Sequence, residues 1–240
     1  MSDIIKTANA GSAFSITIDR GAEGNALTIE LLRALAAAFR EGAKSDAKVI
    51  VLRTAGKDFC IGRDPRGGAP SPTALAMRSN LIAPILDVYD AISNAQQPVI
   101  CAVQGAALGF GCALATACDV TVAADVARFR LPELEKNLPP TLAVSAMMKQ
   151  VPLKALTWLV YSMEEVDSRT ALALGIVSKV VPAAELTAAT DRIVAALTER
   201  SREALVAVKD YLRVAPGMEG RGAAELAGNM LATVFSSAAR

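Results

Sequence analysis

The chain has 240 residues, carries 25 Lys and Arg against 24 Asp and Glu, and contains no His. The near-zero net charge provides no global field to draw it to nucleic acid or to an anionic membrane, and the missing imidazole removes Ser-His-Asp and Cys-His arrangements and most metal sites. Hydrophobic residues make up 52% but aromatics only 4%, a composition that suits helices packed on buried strands and leaves acid-base work to carboxylates.

In chain order, the N-terminal MSDIIKTANAGSAFSITID has no basic stretch followed by an apolar one, so no export is expected. AFSITID (13–19) and KVIVLR (48–53) predict strands, and TIELLRALAAAFREGA (28–43) predicts a helix entered at Thr28 with Glu30 in its first turn. PTALAMRSNLIAPILDVYDAISNA (72–95) predicts a helix interrupted at Pro84. Residues 98–118, PVICAVQGAALGFGCALATAC, are long and apolar enough to span a bilayer, but Gln104 and three glycines divide them into a buried strand, a loop and a helix. DVTVAA (119–124) supplies a further strand, so strands alternate with helices to about residue 130.

Beyond Pro140 the pattern predicts helices over 141–163, 168–174, 183–200, 201–213 and 221–236, with one short strand near SKVV (178–181). This places a core at 1–182 and an Ala-rich helical region at 183–240 suited to docking or oligomerisation. Cys60, Cys101, Cys112 and Cys118 lie in apolar runs and form no C-x-x-C pair, so they read as reduced core residues of a cytoplasmic protein.

The stretch GAALGFGCALA (105–115) offers almost nothing but backbone. As a dinucleotide fingerprint it fails, because counting from Gly109 the third position is Leu114, too large for close helix-strand packing; as a P-loop it lacks G-K-[ST]. Two readings remain. The glycines serve a tight strand-to-helix turn, or Gly109-Phe110-Gly111 opens a helix whose unpaired N–H groups point at a ligand oxygen. An anionic intermediate needs two such donors, and GKDFCIGRDPR (56–66), following KVIVLR, supplies a second loop at Gly62-Arg63-Asp64.

Together GKDFCIGRDP, PVICAVQGAALGFGCALATACDVTVAA and ARFRLPELEKNLPP, with IDRGAEGNALT before them and ALALGIVSKVVP after, resemble the crotonase (enoyl-CoA hydratase/isomerase) family over essentially the whole chain. The resemblance implies an α/β fold, a spiral of β-β-α units with a C-terminal α-helical region, assembled as a homotrimer or hexamer. It implies an acyl-CoA thioester as substrate, no cofactor and no metal, and an oxyanion hole made by the peptide N–H groups of Arg63 and Phe110. By the same resemblance Gly62, Arg63, Asp64, Pro65 and Arg66 lie along the CoA, Ala26 in the Asn25-Ala26-Leu27 turn lies on its adenine side, and Gly109, Phe110, Ala113 and Thr141 border the acyl group. Lys57 with Arg63 and Arg66 forms a local basic cluster that either meets CoA phosphates or is simply a solvated loop, diluted by Asp58 and Asp64.

Hydratases of this family hold a water between two glutamates. Here the positions that match them carry Ala113 and Glu133. One carboxylate poorly serves hydration but suffices for isomerisation of a 3-enoyl-CoA, with Glu133 as the base, and a methyl neighbour should leave that base in drier surroundings. The alternatives are a hydratase of fatty-acid or aromatic-acid degradation completed by Glu135 or Asp64, and a catalytically silent acyl-CoA binder. Glu135 would share a face with Glu133 only if the segment is extended. Phe110 and TLAVS (141–145) depart from the family's commoner small residues and reshape the acyl pocket.

Overall fold

In a computed structural model, residues 3–66, 68 and 72–238 are described, with side chains to residue 236. A six-stranded sheet forms the middle layer, in the order β1 (Ile5–Ala10), β2 (Ala13–Ile18), β3 (Val49–Thr54), β4 (Val99–Val103), β6 (Val120–Ala124), β9 (Lys179–Val181). Only the first pair is antiparallel; β2 to β9 run parallel. Parallel strands are covered on both faces and read as continuous apolar runs, as Val49 to Leu52 and the whole of β4 do, all buried.

The period of two divides these runs between two cores. Val49, Val51 and Ile100 face helix α8 (Leu186–Thr198), packing on Ile193, Val194 and Leu197, while Ala102, Val122 and Ala124 meet Leu186 and Ala189. Their alternates Ile50, Leu52, Val99, Cys101 and Val103 join the main core. That core is closed by α1 (Ile29–Lys44) and by a helical segment made of α2 (Ala74–Met77), a π-turn (Arg78–Ile82) and α3 (Ala83–Ser93). Thr28 caps α1 as expected, accepting from the Leu31 N–H at 3.3 Å.

A second, three-stranded sheet has β7 (Arg128–Arg130) between β5 (Ala106–Leu108) and β8 (Val166–Asp167). It flanks α4 (Phe110–Ala117), the helix that follows the glycine loop. Then come α5 (Thr141–Met147), α6 (Leu153–Ser162) and α7 (Ser168–Ala173) before β9 and α8, and α9 (Arg202–Val214) and α10 (Gly220–Ala238) end the chain. All four cysteines are free and buried, and among the described residues no helix is long and apolar enough to cross a membrane.

Several expectations need correction. The chain opens with a hairpin, because polar β1 adds as an edge strand whose residues beyond Ile5 stay partly or fully exposed. Residues 106–108, expected as loop, form β5. The helix over 74–93 does not break at Pro84; it widens just before it, with the Ala83 N–H bonded to Arg78 O. Proline lacks an N–H and crowds the carbonyl four residues back, so the preceding turn takes one extra residue instead. The single helix expected over 141–163 is two helices.

Candidate active site

Three loops converge beside α4, and backbone hydrogen bonds stitch them together. The Cys60 N–H donates to Ala106 O at 3.0 Å and the Leu108 N–H to Cys60 O at 2.9 Å, pairing the loop after β3 with β5. The Gly109 N–H donates to Arg130 O at 2.8 Å, tying the same turn to β7 and so to the Glu133 segment. A Cβ on Gly62 would lie 3.3 Å from Leu108 O, and one on Gly111 would lie 2.0 Å from Cys60 O. Gly111 therefore lets the first turn of α4 lie directly on the Cys60 backbone.

The direction of two peptide groups follows from their partners. Gly62 O accepts from the Leu27 N–H at 3.0 Å; in a trans peptide the N–H opposes the C=O, so the Arg63 N–H points away from Leu27. Gly109 O accepts from the Ala113 N–H at 3.1 Å, the first bond of α4, so the Phe110 N–H points back out of the helix start. Neither N–H has an acceptor among the described residues. Gly62 (φ 113°) and Gly109 (φ 53°) both hold left-handed backbone that other residues rarely adopt.

Glu133 opens a 3-10 turn (Glu133–Lys136). A Cβ on Gly109 would fall 2.7 Å from its Oε1, so the carboxylate occupies space that only glycine leaves there. Its Oε2 is buried without a hydrogen-bond partner. Burial pushes this carboxyl above the ordinary glutamate value, opposed by its own N–H and by Lys136. Glu135 goes elsewhere: the helical turn at Pro132 removes the shared face, and Glu135 pairs with the Arg130 guanidinium.

Cys112 and Tyr89, which feel the Glu133 charge, are themselves neutral groups. The Cys60 and Cys112 thiols are each pushed up to about 12 by burial, so neither is a nucleophile near neutral pH. Tyr89 on α3 stacks on Phe110, ring centroids 5.7 Å apart at 20°. Burial, then the Glu133 charge, raise the Tyr89 hydroxyl well above its ordinary value. Sequence reading missed Tyr89; it lies at an apolar helix position, and nothing in its spacing distinguishes it from core.

The residues for which a CoA-side role or a solvated loop was expected make local ion pairs. Arg66 forks onto Asp64 (Nη2–Oδ2 2.7 Å) and Arg20 reaches the same oxygen at 2.9 Å. The Arg66 guanidinium, then its N–H, hold the Asp64 carboxyl well below the usual range. Arg66 is thus tied to a carboxylate that it shares with Arg20, while Lys57 is exposed and Pro65 lies at the surface. Asn25 (φ 54°) joins the segments, donating to Ala55 O and Asp58 O at 2.8 and 2.7 Å, and the Ala26 carbonyl accepts from Arg20. Ala113 is fully buried on α4. Thr141 is exposed at the start of α5, and its side chain makes no hydrogen bond among the described residues.

Two N–H donors without acceptors among the described residues thus sit on touching loops with a buried carboxylate oxygen beside one of them, on an α/β fold of the crotonase class. The sequence profile described as enoyl-CoA hydratase/isomerase matches residues 8–240, and the chain belongs to that family. It is 30% identical over 189 residues to human enoyl-CoA hydratase domain-containing protein 3, covering 78% of this chain and 62% of that protein. It is 32% identical to a probable enoyl-CoA hydratase of Mycobacterium tuberculosis, covering 71% and 66%. These matches span a little under two thirds of the relatives' own length. Among solved structures it is similar to an enoyl-CoA hydratase of Mycobacterium smegmatis, with TM-score 0.92, 27% identity and coverage of 98% and 91%. The human domain-containing protein 3 superposes with TM-score 0.89 at 26% identity, covering 97% and 92%.

Proposed function

We propose that the chain isomerises a 3-enoyl-CoA to a 2-enoyl-CoA. Glu133 removes a proton from C2, and the electron pair moves into the thioester oxygen to give a dienolate. The Arg63 and Phe110 N–H groups hold that oxygen. The proton then returns to C4, the double bond settles between C2 and C3, and the carboxylate is regenerated. The observation that carries the reading is the single desolvated carboxylate of Glu133 against Gly109, with Oε2 unpartnered and a methyl at Ala113. Burial raises the basicity of such a group.

A second reading is hydration, supported by the relatives, which are named enoyl-CoA hydratases. It needs a second acid, and the two candidates are engaged, Glu135 by Arg130 and Asp64 by Arg20 and Arg66. A third is acyl-CoA binding without turnover. In all three, CoA runs past Ala26, Gly62, Asp64, Pro65 and Arg66 mainly along backbone, and the protomers assemble as a trimer or hexamer through the C-terminal helices.

The test is to measure binding and turnover of 3-enoyl- and 2-enoyl-CoA separately, for wild type and Glu133→Gln. Isomerisation should be the faster reaction, and the variant should keep binding while losing about 10²–10⁴-fold in rate. Hydration outpacing isomerisation would select the second reading, and binding without turnover the third. Failure to bind any acyl-CoA would overturn all of them.

A further inference from the structure

We propose a second ligand site, for a small oxyanion-bearing molecule, between α1, α3 and the start of α9. A cavity of about 520 Å³ opens there, bordered by Arg40, Lys44, Asp90, Asn94, Gln96 and Arg202, within the range of roughly 300–1,000 Å³ usual for small-molecule sites. None of these residues belongs to the loops around Glu133, so the proposal is independent of the acyl-CoA reading.

The lining carries three cations and one carboxylate. Lys44 is accounted for by the fold, since it ends α1, where helix carbonyls favour positive charge. Arg40 has only a loose partner in Asp87, 3.6 Å away with both side chains half exposed. Arg202 is not accounted for. It occupies the first residue of the 13-residue α9, at the end of the helix dipole that repels cations. Glu203 lies in the same turn but makes no ion pair with it among the described residues. One Nη of Arg202 donates to Gln96 Oε1 at 3.1 Å, while its Nε–H is buried with no acceptor. A buried, unpaired charged donor is costly and rare in native structures.

An anion in the cavity supplies the counter-charge that Arg202 lacks, and after a side-chain rotation it also gives the Nε–H an acceptor. A rotation of the guanidinium presents Nε and Nη as a two-pronged donor matched to a carboxylate or phosphate, and Lys44 supplies the second positive charge. Asp90 disfavours further negative charge and accepts from a hydroxyl, while Asn94 and Gln96 offer amides. The ligand class is therefore a hydroxylated carboxylate or phosphate ester with a single anionic group.

The experiment titrates full-length protein with lactate, glycerol 3-phosphate and inorganic phosphate at low salt, followed by calorimetry and backbone-amide NMR. Saturable shifts at residues 90–96 and 202–204 are expected with lactate or glycerol 3-phosphate, identifying which anion the site prefers, with inorganic phosphate weaker. Arg202→Gln should weaken binding about tenfold or more, and Glu133→Gln should leave it unchanged. Lys44→Gln, which leaves the seat of α9 alone, should also weaken it. No saturable shift with any probe, shifts confined to residues 62–64 and 109–111, or undiminished binding in both Arg202→Gln and Lys44→Gln would each overturn the proposal.

Discussion

Helix α4 buries seven of its eight residues, from Phe110 to Thr116, whereas α9 buries one of thirteen, Lys209. The first is held by the absence of side-chain bulk, since Gly111, Ala113 and Ala115 let it sink between β5, α5 and the Cys60 loop. The second is held by polar tethers, Arg202 on Gln96 at its start and a buried lysine further along. Lys209 Nζ reaches Asp119 at 2.7 Å and the carbonyls of Ile92 and Gln97 at 3.0 Å each, while Val208 and Leu212 stay more than half exposed. An element enclosed on all sides communicates any added atom to the whole core. A tethered one can leave by itself, as a local opening.

The strongest way to break this contrast is Gly111→Ala. The new methyl meets the Cys60 carbonyl at 2.0 Å, a backbone atom that cannot swing aside. Destabilisation of about 3 kcal/mol, the upper end for overpacking, is expected, a fall in Tm of about 6–12 °C for a chain of this length, with the whole transition displaced. An unchanged melting temperature by calorimetry would show that α4 is seated more loosely than its burial indicates.

Lys209→Met should act on the other side of the contrast. It strips two carbonyls and the Asp119 carboxylate of their shared donor, worth about 1.5–3 kcal/mol. Hydrogen exchange should show lost protection in α9 and α10, with protection of β3 and β4 intact. If the protomers associate through these helices, light scattering should report a smaller species at micromolar concentration. Uniform loss of protection across the sheet would mean that α9 is coupled to the core after all.

The smallest effect sharpens the comparison at the mouth of α4. Because burial raises the folded-state Glu133 pKa, the folded protein holds this proton more tightly than the unfolded chain does. Its stabilising contribution is complete below the ordinary value of 4.5 and is lost as pH rises to the displaced value, above which the curve is flat. The loss should be the smallest of the three effects, given the partial solvent access of the side chain. Wild type should thus lose Tm relative to Glu133→Gln as pH rises above the ordinary value of 4.5, until the curve flattens, while the proton-transfer rate rises with pH over the same interval.

What could be read from the sequence follows the strength of the local signal. Strands β2, β3, β4 and β6 carry β-branched runs, and the loops at Gly62 and Gly109 are marked by the only residue type their backbone allows. By contrast, β5, β7 and β8 are two or three residues each and take their form from pairing across the site, and β1 is too polar to announce itself as a strand. The charge of Arg66 was legible, but its pairing with Asp64, shared with Arg20, depends on a loop conformation that brings Arg20 across from another segment. Lys209 reads as an ordinary surface cation on an amphipathic helix, because the groups that bury it lie far away in the chain.

The two unpaired donors at Arg63 and Phe110 belong to peptide links, and this has a consequence for how the gene can change. Any codon substitution at these positions, proline excepted, alters a side chain and leaves the N–H in place. At position 133, by contrast, one missense change deletes the carboxylate, and at position 113 one can install another. The anion-holding half of the proposed site is therefore insulated from drift, and the proton-moving half is freely editable. A lineage built on this scaffold can alter a few side chains while inheriting both backbone donors intact.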